Sequence, residues 1–600
     1  MSGPSRPVNR RVKKEREREM AIRAVGMTNV ALTVILGGVL AVACGDDDSS
    51  PTPGGEAGET SGGDTGQNTG GSKAGSDAGG QPQGGTAGTA GNDQGGAGAE
   101  AGAGGAIDPI AGGAGSGASG GAGGEGGGDP DPEPVPVISK LGSQVFAQAS
   151  DLRGLFYTED GKLYASGHLG SVGTVDKQVV VGRFDKDGKP DTTFGGDGFV
   201  SFNLVERTVD DQEVVTNDGN EESIGLVELE TGEIVVQVNV RDDNGKGMDV
   251  GLLKLDATGT PVAAFGDNGL KKLVFGWAPE DDALWPTAGG APTDTSWGIE
   301  LDESGANQKI VVFGFGSAAK GQTIGTPGVQ RTDTDRYILR VLASDGSVDP
   351  AFNDGEVFFY NSRGTFNDGG RRGFVESDGS IVSGGYTNFG DGLGNHVLAI
   401  RLTAAGKLDT SFGFGIVDRG VARANPFLDD GGVSECYNIT RQHESGRYIT
   451  SGYGSATAAN VPSSYGYATT TAADLISLAF TADGKGLDLD WGNRGTRAIQ
   501  SEELGQASTE DRGRDLLALW DDRVVYAGKL GINPALIVVT PDGEYDPANG
   551  LGQVFTYEPL SGTTSHFFRV VASKDGTRIA AATSNHADGA RLAVLKVGDE

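Results

Sequence analysis

Two cysteines stand in 600 residues, Cys44 and Cys436, so no disulfide framework holds this chain together. Histidine is as scarce: His168, His396, His443, His566 and His586 show no metal-ligand spacing. HExxH is absent, no GxSxG falls between residues 135 and 600, and no haem or quinone ligation motif is visible. Basic runs are missing after residue 43, and the formal net charge is −34, which excludes nucleic acid as a partner. From Gly45 to Pro134 there is no Phe, Trp or Tyr. Such a stretch buries too little apolar surface to offset the entropy of ordering.

What is present begins at the N-terminus. Residues 1–43 carry eight Arg or Lys and three Glu, so the remainder is more acidic still. The run "VALTVILGGVLAVAC", Val30 to Cys44, is shorter than the ~20 apolar residues a membrane span needs and fits a secretory signal peptide. Its end, Leu40-Ala41-Val42-Ala43-Cys44, resembles a bacterial lipobox, with Ala41 where Leu is usual. That resemblance implies acylation of Cys44, an anchor in a membrane, and an outer-membrane or cell-surface address, since Gly45 rather than Asp follows the cysteine. Met20 as well as Met1 offers a start, because "MAIRAVG" alone makes a short basic head. The expected organisation is a signal over 1–43, a Gly/Ala/Ser-rich disordered tether over 44–135, and a folded body over 136–600. A coil of some 90 residues has a root-mean-square span of about 50–55 Å.

The body repeats itself. "FDKDGKPDTTFGGDGFV" at Phe184 to Val200 returns as "LDATGTPVAAFGDNGL", "LASDGSVDPAFNDGEV", "LTAAGKLDTSFGFGIV", "FTADGKGLDLDWGNRG" and "VTPDGEYDPANGLGQV". Before each copy lies an apolar strand such as "KQVVVGRF" or "NHVLAIRL", and before that another introduced by a DG or SG hairpin signal. Seven strands of each kind, with two shorter ones per unit, predict a seven-bladed, all-β propeller of four-stranded antiparallel blades. The repeated turn is read as a corner between the fourth strand of one unit and the first strand of the next. Phe194, Phe265, Phe352, Phe412 and Trp491 are its structural wedges, 60 to 87 residues apart. The last corner, "DPANGLG" at Asp546 to Gly552, lacks the aromatic and is expected to be looser.

The pattern RL..DG.LD..FG..G, nearest in Arg401 to Gly415 and Arg183 to Gly198, resembles the delta-60 repeat family over about residues 140–600. The resemblance implies an extracytoplasmic bacterial propeller and assigns no activity.

Antiparallel meanders put their connections on two faces. One set is short and repetitive; the other is long and different in each unit, and long individual loops on a regular scaffold are where binding resides. Trp277, Trp285, Tyr465 and Tyr467 on those loops are the candidate ligand contacts, by stacking on a sugar or a peptide side chain. Clustered carboxylates at Asp185, Asp187, Asp242 and Asp243 are weak calcium candidates, without the EF-hand spacing. The expected function is a monomeric binding module for a protein or glycan, with no enzymatic activity. Alternatives are a hydrolase or lyase using paired carboxylates at the propeller channel, and a purely structural surface protein.

Overall fold

The computed structural model describes residues 135–598 except 171–175, 213–214, 242–246, 274–293, 318–333, 363–366, 389–393, 414–418, 428–431, 457–471, 502–509, 561–564 and 585–588. Cys44, Trp277, Trp285, Tyr465, Tyr467, Asp242, Asp243 and His586 therefore lie outside the described residues. Among those that are described, no helix is long and apolar enough to cross a membrane.

The chain enters on strand β1 (Ile138–Phe146) and then lays down blade 1 as β2 (Asp151–Tyr157), β3 (Leu163–Leu169), β4 (Gln178–Phe184) and β5 (Phe199–Phe202). A small hairpin, β6 (Thr208–Val209) and β7 (Val215–Asn217), precedes blade 2: β8 (Glu221–Glu228), β9 (Ile234–Arg241), β10 (Met248–Leu255) and β11 (Leu270–Leu273). Blade 3 is β12 (Asp294–Asp302), β13 (Lys309–Ser317), β14 (Thr334–Leu342) and β15 (Phe358–Tyr360). Blade 4 is β16 (Asp368–Val375), β17 (Ile381–Asn388), β18 (Asn395–Leu402) and β19 (Val421–Ala424). Blade 5 is β20 (Val433–Arg441), β21 (Tyr448–Ser455), β22 (Asp474–Phe480) and β23 (Thr496–Ile499). Blade 6 is β24 (Arg512–Ala518), β25 (Val524–Leu530), β26 (Asn533–Val539) and β27 (Gln553–Thr556). Blade 7 takes β28 (His566–Ala572), β29 (Arg578–Ser584) and β30 (Ala590–Val597) from the C-terminal end and β1 as its outer strand.

Seven four-stranded antiparallel sheets result. Their first strands touch in succession, β2 to β8, β12, β16, β20, β24, β28 and back to β2, so the propeller is closed. Closure rests on the antiparallel pairing of β1 with β30, from Ile138 opposite Val597 to Phe146 opposite Ala590. Phe146 seals the seam by packing on Phe184 and Phe199 of blade 1, at ring separations of 5.2 and 5.4 Å.

The repeated corner sits inside a blade rather than between blades. β4 pairs with β5 in one sheet, Val181 opposite Val200, so the strand after the corner folds back on the strand before it. This corrects the phase expected from the sequence: the unit starts one strand later, and the strand before the DG hairpin is innermost. The two faces keep their loops, because every antiparallel connection alternates ends.

At the corner, Arg183 pairs with Asp191 at 2.8 Å and lies 4.9 Å over the Phe194 ring. Arg340 with Asp349 and Phe352 repeats the arrangement at 2.8 and 4.9 Å. Phe194, Phe265, Phe352, Phe412 and Trp491 are all buried to 1 % exposure or less. Each ring packs under the turn glycine that starts the next blade's corner. Gly259, at φ +89, has its hydrogen where a Cβ would come within 2.9 Å of Phe194, so both backbone and contact require glycine there.

Candidate functional site

Each innermost strand carries a β-bulge two to four residues from its start, seen as a register shift against its second strand. A bulge re-aims the extra side chain. Here the extra residues are Arg153, Ile224, Trp297, Arg371 with Arg372, Tyr437, Arg514 and Phe568, in blade order. Ile224, Trp297, Tyr437 and Phe568 belong to blades 2, 3, 5 and 7 yet form one apolar cluster, which only the central channel permits.

From blade 3 round to blade 1, aromatics and cations alternate, and Ile224 of blade 2 closes the ring. Arg371 lies 3.9 Å from the Trp297 ring and 4.6 Å from Tyr437. Arg514 lies 4.4 Å from Tyr437 and 6.0 Å from Phe568, and Arg153 lies 5.0 Å from Phe568. Each desolvated contact of this kind is worth about 1–2 kcal/mol.

Toward the short-turn face a charged layer follows. Asp515, fully buried, accepts from Asn438 Nδ2 at 2.5 Å and from the Val570 amide at 2.8 Å, and pairs with Arg569 at 3.5 Å. Glu300 meets Arg569 at 3.4 Å. Arg372 crosses the channel from blade 4, donating to the Phe568 carbonyl at 2.9 Å and the Arg153 carbonyl at 3.2 Å. Burial, then the neighbouring Arg569, brings its guanidinium down to about 9. Burial likewise raises Glu300. The channel is filled at this level, two carboxylates against two guanidinium groups.

On the long-loop side, the starts of the inner strands and the ends of the second strands form the channel mouth. Between blades 1 and 2, Asp151 pairs with Arg153 at 2.6 Å, and Glu222 stands 3.8 Å from Arg153 and 3.9 Å from Lys177. His168 Nδ1 is 3.8 Å from Asp151. Burial pushes Asp151 up to about 6, and burial with Lys177 and Arg153 pulls His168 well below its usual value. Between blades 5 and 6, Glu510 accepts from Arg512 at 2.6 Å and Lys529 at 2.7 Å, while Arg512 sits 4.2 Å over Tyr453. Against burial, which alone would raise it, these two cations hold Glu510 below its usual value. His566 shares a 3.0 Å hydrogen bond with Ser584. The mouth is thus a rim of polar clusters, each of different composition, over an apolar and cationic floor.

The sequence reading found neither floor nor rim. The loop aromatics it chose, Trp277, Trp285, Tyr465 and Tyr467, lie in segments outside the described residues. Asp185 and Asp187 lie on the opposite face, where Asp185 accepts the amides of Asp187 and Lys189 at 3.0 and 2.9 Å and Asp187 takes Arg578 at 2.6 Å. Both carboxylates have protein partners, and among the described residues no three His, Cys, Asp or Glu gather as a metal site. Cys436 is in β20, fully buried, its thiol donating to the Asn438 carbonyl at 3.1 Å.

Comparison with known proteins bears on the fold. The family model of a beta-propeller domain of unknown function, DUF5122, matches residues 376–412, which is the blade 4 stretch from the β16–β17 turn to the corner phenylalanine. No curated protein matches this chain. Among solved structures, prolyl oligopeptidase B from Galerina marginata is similar at 12% identity and a TM-score of 0.34, over 76% of this chain and 52% of that one. The chain thus spans about half the length of that peptidase. Sqt1 from Chaetomium thermophilum is similar at 10% identity and a TM-score of 0.33, over 75% of this chain and 96% of that one. The Cps50 (Swd1) beta-propeller domain of Myceliophteria thermophila is similar at 9% identity and 0.33, over 77% and 99%.

Proposed function

We propose that this chain is a lipid-anchored surface protein whose propeller binds a protein or glycan on its long-loop face. The observation that carries the reading is the polarity of β1. Ile138 pairs with Val597, at the short-turn end of β30, so the described chain enters the propeller on the short-turn face. The face with long individual loops and a varied polar rim is the opposite one. The described chain thus leaves that rim clear of its own point of entry. The lipobox-like end of the N-terminal apolar run and the delta-60 resemblance of the corners support the same cellular setting.

The test is a glycan and peptide array probed with the full chain carrying Cys44→Ser, in calcium and in EDTA. A defined hit that disappears in the Trp277→Ala/Trp285→Ala double variant is expected. Calcium dependence would implicate Asp242 and Asp243, the carboxylates that follow β9 in the chain. Silence in both conditions, with a cooperative melt retained, would favour a structural role.

A second reading, a carboxylate hydrolase, draws on one observation: Asp151 and Glu222 flank Arg153 at the channel mouth, with Asp151 at about 6. Turnover of chromogenic glycosides, lost in Asp151→Asn while the chain still melts cooperatively, would establish it.

A further inference from the structure

Five corners are filled by an aromatic ring; the sixth is not. Asn549 occupies the ring's position, since its amide donates to the Asp546 carbonyl at 3.0 Å as Phe194 donates to Asp191 at 3.0 Å. Its side chain turns outward to Asp546 Oδ2 at 2.6 Å. The position held by Arg183 in blade 1 is Val538 here, so the cation that lies over the ring is missing too. The covering turn is also absent, because the fourth strand of blade 7 is β1, and Val135 to Val137 lead into it at this spot. A cavity of about 560 Å³ is left, walled by Val137, Val538, Pro541, Pro547, Arg523 and Gln553.

Two polar atoms in that wall are buried without a hydrogen-bond partner: Arg523 Nη2, a donor, and Gln553 Oε1, an acceptor. Strand register sets Gln553 opposite Val538 and Val538 opposite Val525. Two-residue alternation then puts Arg523 on the same side. Arg523 Nε is already matched by Asp521 at 2.7 Å, so the cavity carries no uncompensated positive charge. A carboxylate entering it would meet Asp521, whereas an amide would accept from Arg523 and donate to Gln553. We infer that this corner is a binding site for an uncharged amide bearing an aromatic ring, the chemistry of a phenylalanine residue within a peptide. The protein's own repeats show the ring that fits: in the other corners Phe or Trp fills the same position from within. This site is on the short-turn face and is independent of the long-loop reading above.

N-acetyl-phenylalaninamide titrated into the full chain, followed by saturation-transfer NMR, tests it. Saturable binding is expected, at least tenfold tighter than for 3-phenylpropanoate, which keeps the ring but carries a carboxylate. Asn549→Phe should place a ring in the cavity, weaken the probe at least tenfold and leave the melting temperature equal or higher. Should that variant fold poorly, Gln553→Leu removes the acceptor without filling the cavity and should weaken the amide probe at least tenfold. No saturable binding, or affinity unchanged in both variants, overturns the assignment.

Discussion

Arg372 on the inner strand of blade 4 hydrogen-bonds the backbone carbonyls of Phe568, in blade 7, and Arg153, in blade 1. One side chain thus ties together blades on opposite sides of the channel, and its charge faces the fully buried Asp515 at 4.0 Å. Removing it leaves two carboxylates with Arg569 alone and two buried carbonyls without that donor. Arg372→Met, close in length and uncharged, should lower unfolding stability by about 3 kcal/mol or more. Urea unfolding followed by tryptophan fluorescence reads this directly, since Trp297 lies in the ring above. An unchanged midpoint would mean that the channel interior contributes little to closure.

The corner makes a different kind of prediction, because ring and glycine depend on each other. Phe194→Ala empties a fully buried site and should cost about 3–5 kcal/mol. Gly259→Ala should cost about 1–3 kcal/mol, from its positive φ and from a Cβ only 2.9 Å from the ring. In the double variant the ring is gone and only the backbone part of the second penalty remains. The two costs should therefore add to less than their sum by about 1 kcal/mol, measured as a double-mutant cycle in urea.

The corner was legible in the sequence because it demands fixed residue types. Gly188 must adopt positive φ, Asp191 must cap, and Phe194 must fill one shape of hole, so the pattern recurs visibly. Blade number followed from the two apolar strands that precede each corner, seven of each kind. Blade phase did not follow, because β5 and β8 are both short apolar stretches flanking one loop, and only hydrogen bonding tells which sheet owns each. The channel ring was illegible for the opposite reason to the corner. Its seven bulge sites are filled by Arg, Ile, Trp, Arg, Tyr, Arg and Phe, a set selected for alternation around a circle and not for identity between repeats. A small residue just after the bulge, as in Gly154, Gly225, Gly298 and Gly373, was the available signal, and it fails from blade 5 onward.

Two buried acids set a pH dependence. Burial pushes Glu221 up to about 8 from 4.5, and Asp151 up to about 6 from 3.8. Glu221 accepts the Leu204 amide at 2.5 Å through one oxygen, while the other has no hydrogen-bond partner, as suits a protonated carboxyl. Both groups bind protons more tightly folded than unfolded, so the folded state holds the excess of protons from about pH 4 up to their folded values. Stability must then fall as pH rises through that window and level off above about 8. Glu221→Gln copies the protonated shape without titrating. Relative to the natural chain it should gain roughly 2–4 kcal/mol between pH 5 and pH 9. Unfolding midpoints at those two pH values give the answer, and parallel curves would refute the assignment to Glu221.

Cys436 offers a readout of global opening. Burial pushes its thiol up to about 12, and its side chain is fully enclosed between blades 4 and 5. The thiolate is the reacting species, so at pH 8 a folded chain presents almost none of it. In a Cys44→Ser background Cys436 is the sole cysteine of the chain. Iodoacetamide should then label it only through unfolding, with a rate that rises with urea in step with the equilibrium transition. Breaking β1 away from blade 7, by Ser143→Pro where Ser143 pairs with Ala593, should speed labelling even though the strand is far from Cys436. That outcome would show the seven blades opening as one unit. Labelling at the natural rate, with β1 displaced, would show instead that blades 4 and 5 hold without the closing strand.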